Sequence, residues 1–172
     1  EMNDINSINN YALILRNSSN IQDKKQAASY FKNAADQGNE YSMFNYAVML
    51  FNGEGIEKNV DESIIYFKKA IDKGNVDAMI YYSTLIKSKQ IQQTSNENTI
   101  LYFKMFAEKS DFESIKKLIL AFERNEITLT DNDVILNYYK IAADNGLTIA
   151  MLKYAEMLIT SNNDNKKLDD IN

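Results

Sequence analysis

Four carboxylates, Asp36, Asp72, Glu108 and Asp144, recur at a constant step and are the side chains best suited to chemistry in this sequence. Carboxylates gathered in one cleft can act as acid and base or hold a cation. Their spacing argues otherwise here, because the step is 36 residues and each carboxylate closes the same short pattern near a helix end. A group that returns once per repeat serves the repeat, as a solvated or helix-end polar group. Asp131-Asn132-Asp133 opens like a calcium loop, but no glycine stands at the sixth loop position and no Glu at the twelfth. Thr130 or Asp131 reads instead as the N-cap of the following helix. Asn52-Gly53-Glu54-Gly55 lacks the Gly-Lys ending of a phosphate loop and reads as a tight turn.

The wider inventory narrows the chemistry further. The 172 residues include no His, no Cys and no Pro. Without His the commonest general base and metal ligand is missing. Without Cys there is no thiolate zinc site, no disulfide and no cysteine nucleophile. The sequence therefore predicts no catalytic residue, no cofactor and no metal, and a chain that is not an enzyme. A net charge of −5 and a pI of 4.8 argue against the basic footprint of nucleic-acid binding. No apolar run approaches the roughly 18 residues of a membrane span, so no membrane insertion is expected. The expected partners are other proteins. The absence of Cys leaves the compartment open between cytoplasm and organelle lumen. Hydrophobic content of 45% is ample for a packed protein.

The elements that position these residues follow from one pattern. YFKNAADQGN at 30–39 returns as YFKKAIDKGN at 66–75, YFKMFAEKSD at 102–111 and YYKIAADNGL at 138–147. A fixed period of this size is the mark of a solenoid. The absence of Pro suits a chain that is mostly helix. The spacing predicts helices over 5–16, 24–37, 41–52, 62–73, 76–89, 96–109, 112–124, 133–145 and 148–160. Gly38, Gly74 and Gly146 end the second helix of a repeat, while Ser110 stands where a glycine would end the third. Asn59 with Glu62, and Thr94 with Glu97, have capping-box spacing. In the first helices, Ala12, Ala47, Ser83, Ile119 and Ala155 share one position. A small residue there lets paired helices approach, so Ile119 predicts a splayed or repacked fourth repeat.

These residues resemble the Sel-one-like repeat, a relative of the tetratricopeptide repeat. Repeat two carries the resemblance through Ala47, Gly53, Gly55, Ile56, Tyr66, Phe67, Lys69, Ala70 and Gly74. Repeat one adds Ala12, Ala27, Tyr30, Phe31, Ala34, Ala35 and Gly38, and repeat four adds Tyr138, Tyr139, Ala142, Ala143 and Gly146. Departures are the missing Gly-x-Gly turn in repeats one, three and four, and Ile119. The resemblance implies an all-α fold, a right-handed superhelical solenoid of antiparallel helix pairs with the first helices on the concave side. It also implies a scaffold or adaptor role. Some bacterial relatives stitch each repeat with a cysteine pair, and this chain has none. One repeat domain over 1–172 is expected, with repeats at 5–39, 40–75, 76–111 and 112–147 and a partial one at 148–172. A half-made pair would expose apolar surface, which predicts a segment of a longer protein.

Carried over from tetratricopeptide geometry, the groove-lining residues of repeat two are Tyr41, Phe44, Val48 and Phe51. Those of repeat three are Asp77, Ile80, Thr84 and Lys87. Asn6, Asn9, Leu13 and Arg16 correspond in repeat one, and Glu113, Lys116, Leu120 and Glu123 in repeat four. The aromatic stripe of repeat two stands out, since such a stripe either anchors a partner or fills the space between adjacent repeats. The candidate partner-binding set is therefore Tyr41, Phe44, Val48, Phe51, Ile80, Thr84 and Lys87. The expected function is a non-catalytic scaffold that binds a peptide or helix of another protein on the concave face. The alternatives are a structural subunit embedded in a large assembly, and a regulatory repeat arm attached to an enzyme domain such as a kinase.

Overall fold

The computed structural model describes residues 4–91, 103–104, 107–108, 111–128 and 131–169, with side chains as far as residue 160. The expected capping box at Thr94, most of the helix at 96–109 and Ser110 lie outside the described residues. Every regular element among the described residues is a helix. They are α1 (Ile5–Arg16), α2 (Ile21–Asp36), α3 (Glu40–Asn52), α4 (Val60–Asp72), α5 (Val76–Lys87), α6 (Phe112–Glu123), α7 (Asn132–Asp144) and α8 (Thr148–Asp169). The chain forms two compact bodies, Glu1–Tyr82 and Ser83–Asn172.

Side-chain caps set the helix starts. Asp4, Asn20, Asn39, Asn59, Asp111 and Asp131 each accept a backbone N–H of the first turn. Asn20 takes the N–H of Gln22 at 2.8 Å, which starts α2 at Ile21 rather than at residue 24. Asn59 and Glu62 form the expected box, with Asn59 Oδ1 taking the N–H of Glu62 at 3.1 Å and Nδ2 donating to its carboxylate at 3.2 Å.

The second helices end in a paired backbone closure. The N–H of Gly38 reaches Ala35 O at 2.9 Å and that of Asn39 reaches Ala34 O at 3.1 Å, with the same pattern at Gly74 and Gly146. In repeats three and four, which lack the Gly-x-Gly turn, the first helices close the same way through other residues, whereas α1 ends at Asn17 without a left-handed residue. Lys89 and Asn125 both take φ of 57°, in the left-handed region, and the following N–H groups return to Leu85 and Ala121. Gly55 has a further reason to be glycine. A Cβ there would lie 2.5 Å from the carbonyl carbon of Lys24, in the first turn of α2.

In the N-terminal body α1 packs on α2, α2 on α3 and α3 on α4. Ala12, Ala27, Ala34, Ala47 and Ala70 are fully buried and bring these helices close, around Phe31, Phe67, Met49 and Leu50. In the C-terminal body α6 packs on α7 and α7 on α8. Its core holds Phe103, Ile115, Leu118, Tyr138 and Ala142. Ile119 is 0% exposed, so this body accommodates the larger side chain inside its core. Helix α8 runs past the expected end at residue 160, and Met151, Leu152, Leu158 and Ile159 on it are exposed.

Candidate functional site

The polar residues of the first helices join one repeat to the next. Arg16, in the last turn of α1, donates from Nε to Glu54 at 2.8 Å and from Nη1 to Asn45 at 3.2 Å. Burial pushes the Glu54 carboxyl up, but the bonds from Arg16 and Asn52 outweigh it and hold the group below its ordinary range. Asn6 accepts from Asn39 at 3.1 Å, and Asn9 accepts from the Ser42 hydroxyl at 3.0 Å. The C-terminal body repeats the device. Lys87, the counterpart of Arg16 in repeat three, donates to the Asn125 carbonyl and, at 2.7 Å, to its side-chain oxygen. Thr84 Oγ1 donates to the Glu126 carbonyl at 3.4 Å. Thr84 and Lys87 thus hold the turn between α6 and α7.

The aromatic stripe of α3 divides along its length. Val48 and Phe51 are 5% and 7% exposed and pack inside the N-terminal body. Phe44 is half-buried between the Phe67 and Tyr81 rings, with centroids at 6.2 and 5.9 Å. Ile80, one residue before Tyr81, is also half-buried. Tyr41 alone in the stripe faces solvent, with 53% of its surface exposed. Its backbone is fixed by Asn45, whose side-chain amide donates to the Tyr41 carbonyl at 2.9 Å.

A second surface lies in the C-terminal body, where α6, the start of α7 and α8 enclose a groove of about 770 Å³. The sequence pattern put Glu123 in the groove-lining set of repeat four but gave no sign of this groove, whose lining comes from three helices separated along the chain. Tyr139 donates to Glu123 Oε1 at 2.6 Å, and Lys153 pairs with Glu156 at 3.1 Å. Burial first, and then the bond to the Glu123 carboxylate, push the Tyr139 phenol well above its ordinary value.

The recurring carboxylates do not converge. Asp36 accepts from Lys32 at 3.0 Å and from the Tyr66 hydroxyl at 3.1 Å, which makes it a repeat-to-repeat tie. Among the described residues no three His, Cys, Asp or Glu side chains gather to hold a metal ion, and no helix is long and apolar enough to cross a membrane. Asp131 caps α7 by accepting from the N–H of Val134 at 3.1 Å.

The family model for the Sel1 repeat matches residues 7–39, 40–75 and 136–147. The stretch between the matches contains Lys89 and Asn125 in place of glycine, and Ile119 in place of a small residue. Among solved structures, the chain is similar to a Sel1 repeat protein from Oxalobacter formigenes, at 21% identity and a TM-score of 0.59, over 90% of this chain and 64% of that one. It is also similar to a protective antigen present in uropathogenic Escherichia coli strains that displays an SLR fold, at 14% identity and a TM-score of 0.57, over 92% of this chain and 34% of that one. The chain thus spans less than two thirds of the length of either structure. These likenesses show the fold, an all-helical repeat solenoid. No curated protein matches the chain.

Proposed function

Because this chain belongs to the Sel1 repeat family, we propose that it is a non-catalytic scaffold that holds a peptide or helix of another protein against its first helices. Sel1 repeat proteins generally act as protein-interaction scaffolds. The observation that carries the finer reading is Tyr41. It presents an exposed aromatic ring at one end of a stripe whose other members are held by the core. An aromatic with few rotatable bonds on a rigid backing is a favourable anchor, because little conformational freedom is lost on binding. Phe44, one turn along α3, is held by Phe67 and Tyr81, and Ile80 on α5 is half-buried. Thr84 and Lys87 belong to the C-terminal body, where they fix the turn after α6.

The test is a comparison of partner capture by wild type and Tyr41→Ala, with circular dichroism as the control for folding. Loss of one specific partner with an unchanged spectrum and melting curve is expected. Retention of every partner by Tyr41→Ala would remove the α3 surface from the reading. The Ala substitution at an exposed position leaves the core intact, so lost capture is not confused with unfolding.

A further inference from the structure

The groove in the C-terminal body combines an apolar floor with a rim of one sign. Phe122, Leu136 and Met157 are half-buried and Tyr139 is buried, and these four make the floor. Glu123, Asp133 and Glu156 are exposed along the rim. Among the described residues Lys153 is the single cation in the lining, and it is already paired with Glu156. Lys153 and Glu156 offset each other, so Glu123 and Asp133 leave the opening with a net charge of −2. The volume of about 770 Å³ is in the range of pockets that bury several side chains of a ligand.

We propose that this groove docks a basic, apolar peptide segment of a partner protein, with Lys or Arg side chains on the Glu123, Asp133 and Glu156 rim and an interleaved aliphatic or aromatic side chain on the Phe122, Leu136 and Met157 floor. The proposal rests on the scaffold reading and supplies it with a partner chemistry. Charge complementarity selects the occupant. An acidic segment would meet the three rim carboxylates with like charge, and a purely apolar one would desolvate them without compensation. A Lys or Arg stem covers apolar surface while its head reaches the rim, so one residue type satisfies both parts of the groove. Glu123 is pre-set for this task. Its Oε1 accepts from the Tyr139 hydroxyl at 2.6 Å, which fixes the carboxylate at the groove wall before any partner arrives.

The test uses the full chain and three fluorescein-labelled synthetic peptides of about a dozen residues, each with alternating charged and Leu positions in the manner of a groove-bound segment. The charged positions are Lys and Arg in one, Asp and Glu in the second and Ser in the third. Fluorescence anisotropy should show the basic peptide binding at least about tenfold more tightly than the other two, with affinity falling as salt is raised. The Glu123→Gln, Glu156→Gln double variant should weaken it by about tenfold, and Gln keeps an acceptor for Tyr139. A Glu57→Gln, Asp72→Asn variant removes the same charge from exposed positions of the N-terminal body and should leave binding unchanged. Equal loss in both variants would assign binding to net charge and overturn the proposal. Tighter binding of the acidic or Ser peptide, abolished by Met157→Asp, would overturn the charge assignment while leaving the scaffold reading intact. Binding of none of the three would overturn the proposal, and the Tyr41 comparison would then decide the scaffold reading independently.

Discussion

The Tyr66 hydroxyl donates to the Asp36 carboxylate at 3.1 Å, which joins the second helix of repeat two to that of repeat one. Both residues belong to the recurring ten-residue pattern, and they meet because the repeat stacks one copy on the next. Tyr138 plays the equivalent part in repeat four, donating to the backbone carbonyl of Phe103. The acceptor differs while the tie persists. Tyr66, Asp36 and Tyr138, at recurring positions, therefore act as joints between repeats.

Tyr66→Phe keeps the buried ring and removes only the tie. A loss of about 0.5–1 kcal/mol is expected from urea unfolding, toward the lower end because the Asp36 side chain is half exposed. The Asp36 carboxyl is held below its ordinary value of 3.8, first by the Lys32 ammonium and, against burial, by Tyr66. A depressed carboxyl contributes stability above its unfolded value and loses it as pH falls through the folded one. The gap between wild type and variant should therefore narrow below pH 3.8.

Gly55→Ala and Gly38→Ala should separate two roles of glycine. Both have positive φ, at +70° and +97°. Only Gly55 would also drive a Cβ into the Lys24 backbone, at 2.5 Å. Gly38→Ala should cost about 1 kcal/mol from backbone strain alone. Gly55→Ala should cost about 2–3 kcal/mol and lower the melting temperature further, because the first turn of α2 must shift.

Lys89→Gly should act in the opposite sense. Lys89 is exposed and holds φ of 57° at the end of α5. Glycine there relieves left-handed strain and removes no buried contact, so a gain of about 0.5–1 kcal/mol is expected in thermal or urea unfolding.

Stability should fall at alkaline pH through the tyrosines. Burial raises the phenols of Tyr46, Tyr66, Tyr138 and Tyr139 above the ordinary value of 10.0. A raised group contributes stability that is full below its unfolded value and is lost as pH climbs through the folded one. Unfolding free energy should be flat up to about pH 10 and then drop by up to about 1.4 kcal/mol per pH unit for each fully protected tyrosine. Tyr139→Phe should make that drop shallower, which a set of urea titrations between neutral and alkaline pH would record.

Much of the fold was legible in the sequence because repetition multiplies weak local signals. Gly38, Gly74 and Gly146 marked helix ends, and Asn59 marked a helix start, through chemistry that acts within a few residues. The same locality explains what was hidden. The caps at Asn20 and Asn39 depend on which Asn turns its side chain back on the chain. The left-handed Lys89 and Asn125 carry no composition signal. Exposure along α3 was legible only as a period, so the stripe of Tyr41, Phe44, Val48 and Phe51 looked uniform. The packing of Phe67 and Tyr81 on Phe44 is what divides it. The polar groove candidates Arg16 and Lys87 reach partners 38 positions further along and Thr84 one 42 positions along, distances at which no local pattern can act.

Site-specific photo-crosslinking tests the proposed contact between the first-helix surface at Tyr41 and a partner protein. A benzophenone side chain placed at position 41 should capture the same partner repeatedly. The same group at Ile65, exposed on the second helix α4, should not capture it. Capture of that partner at 65 and not at 41, or equally at both, would rule out the Tyr41 surface as the contact.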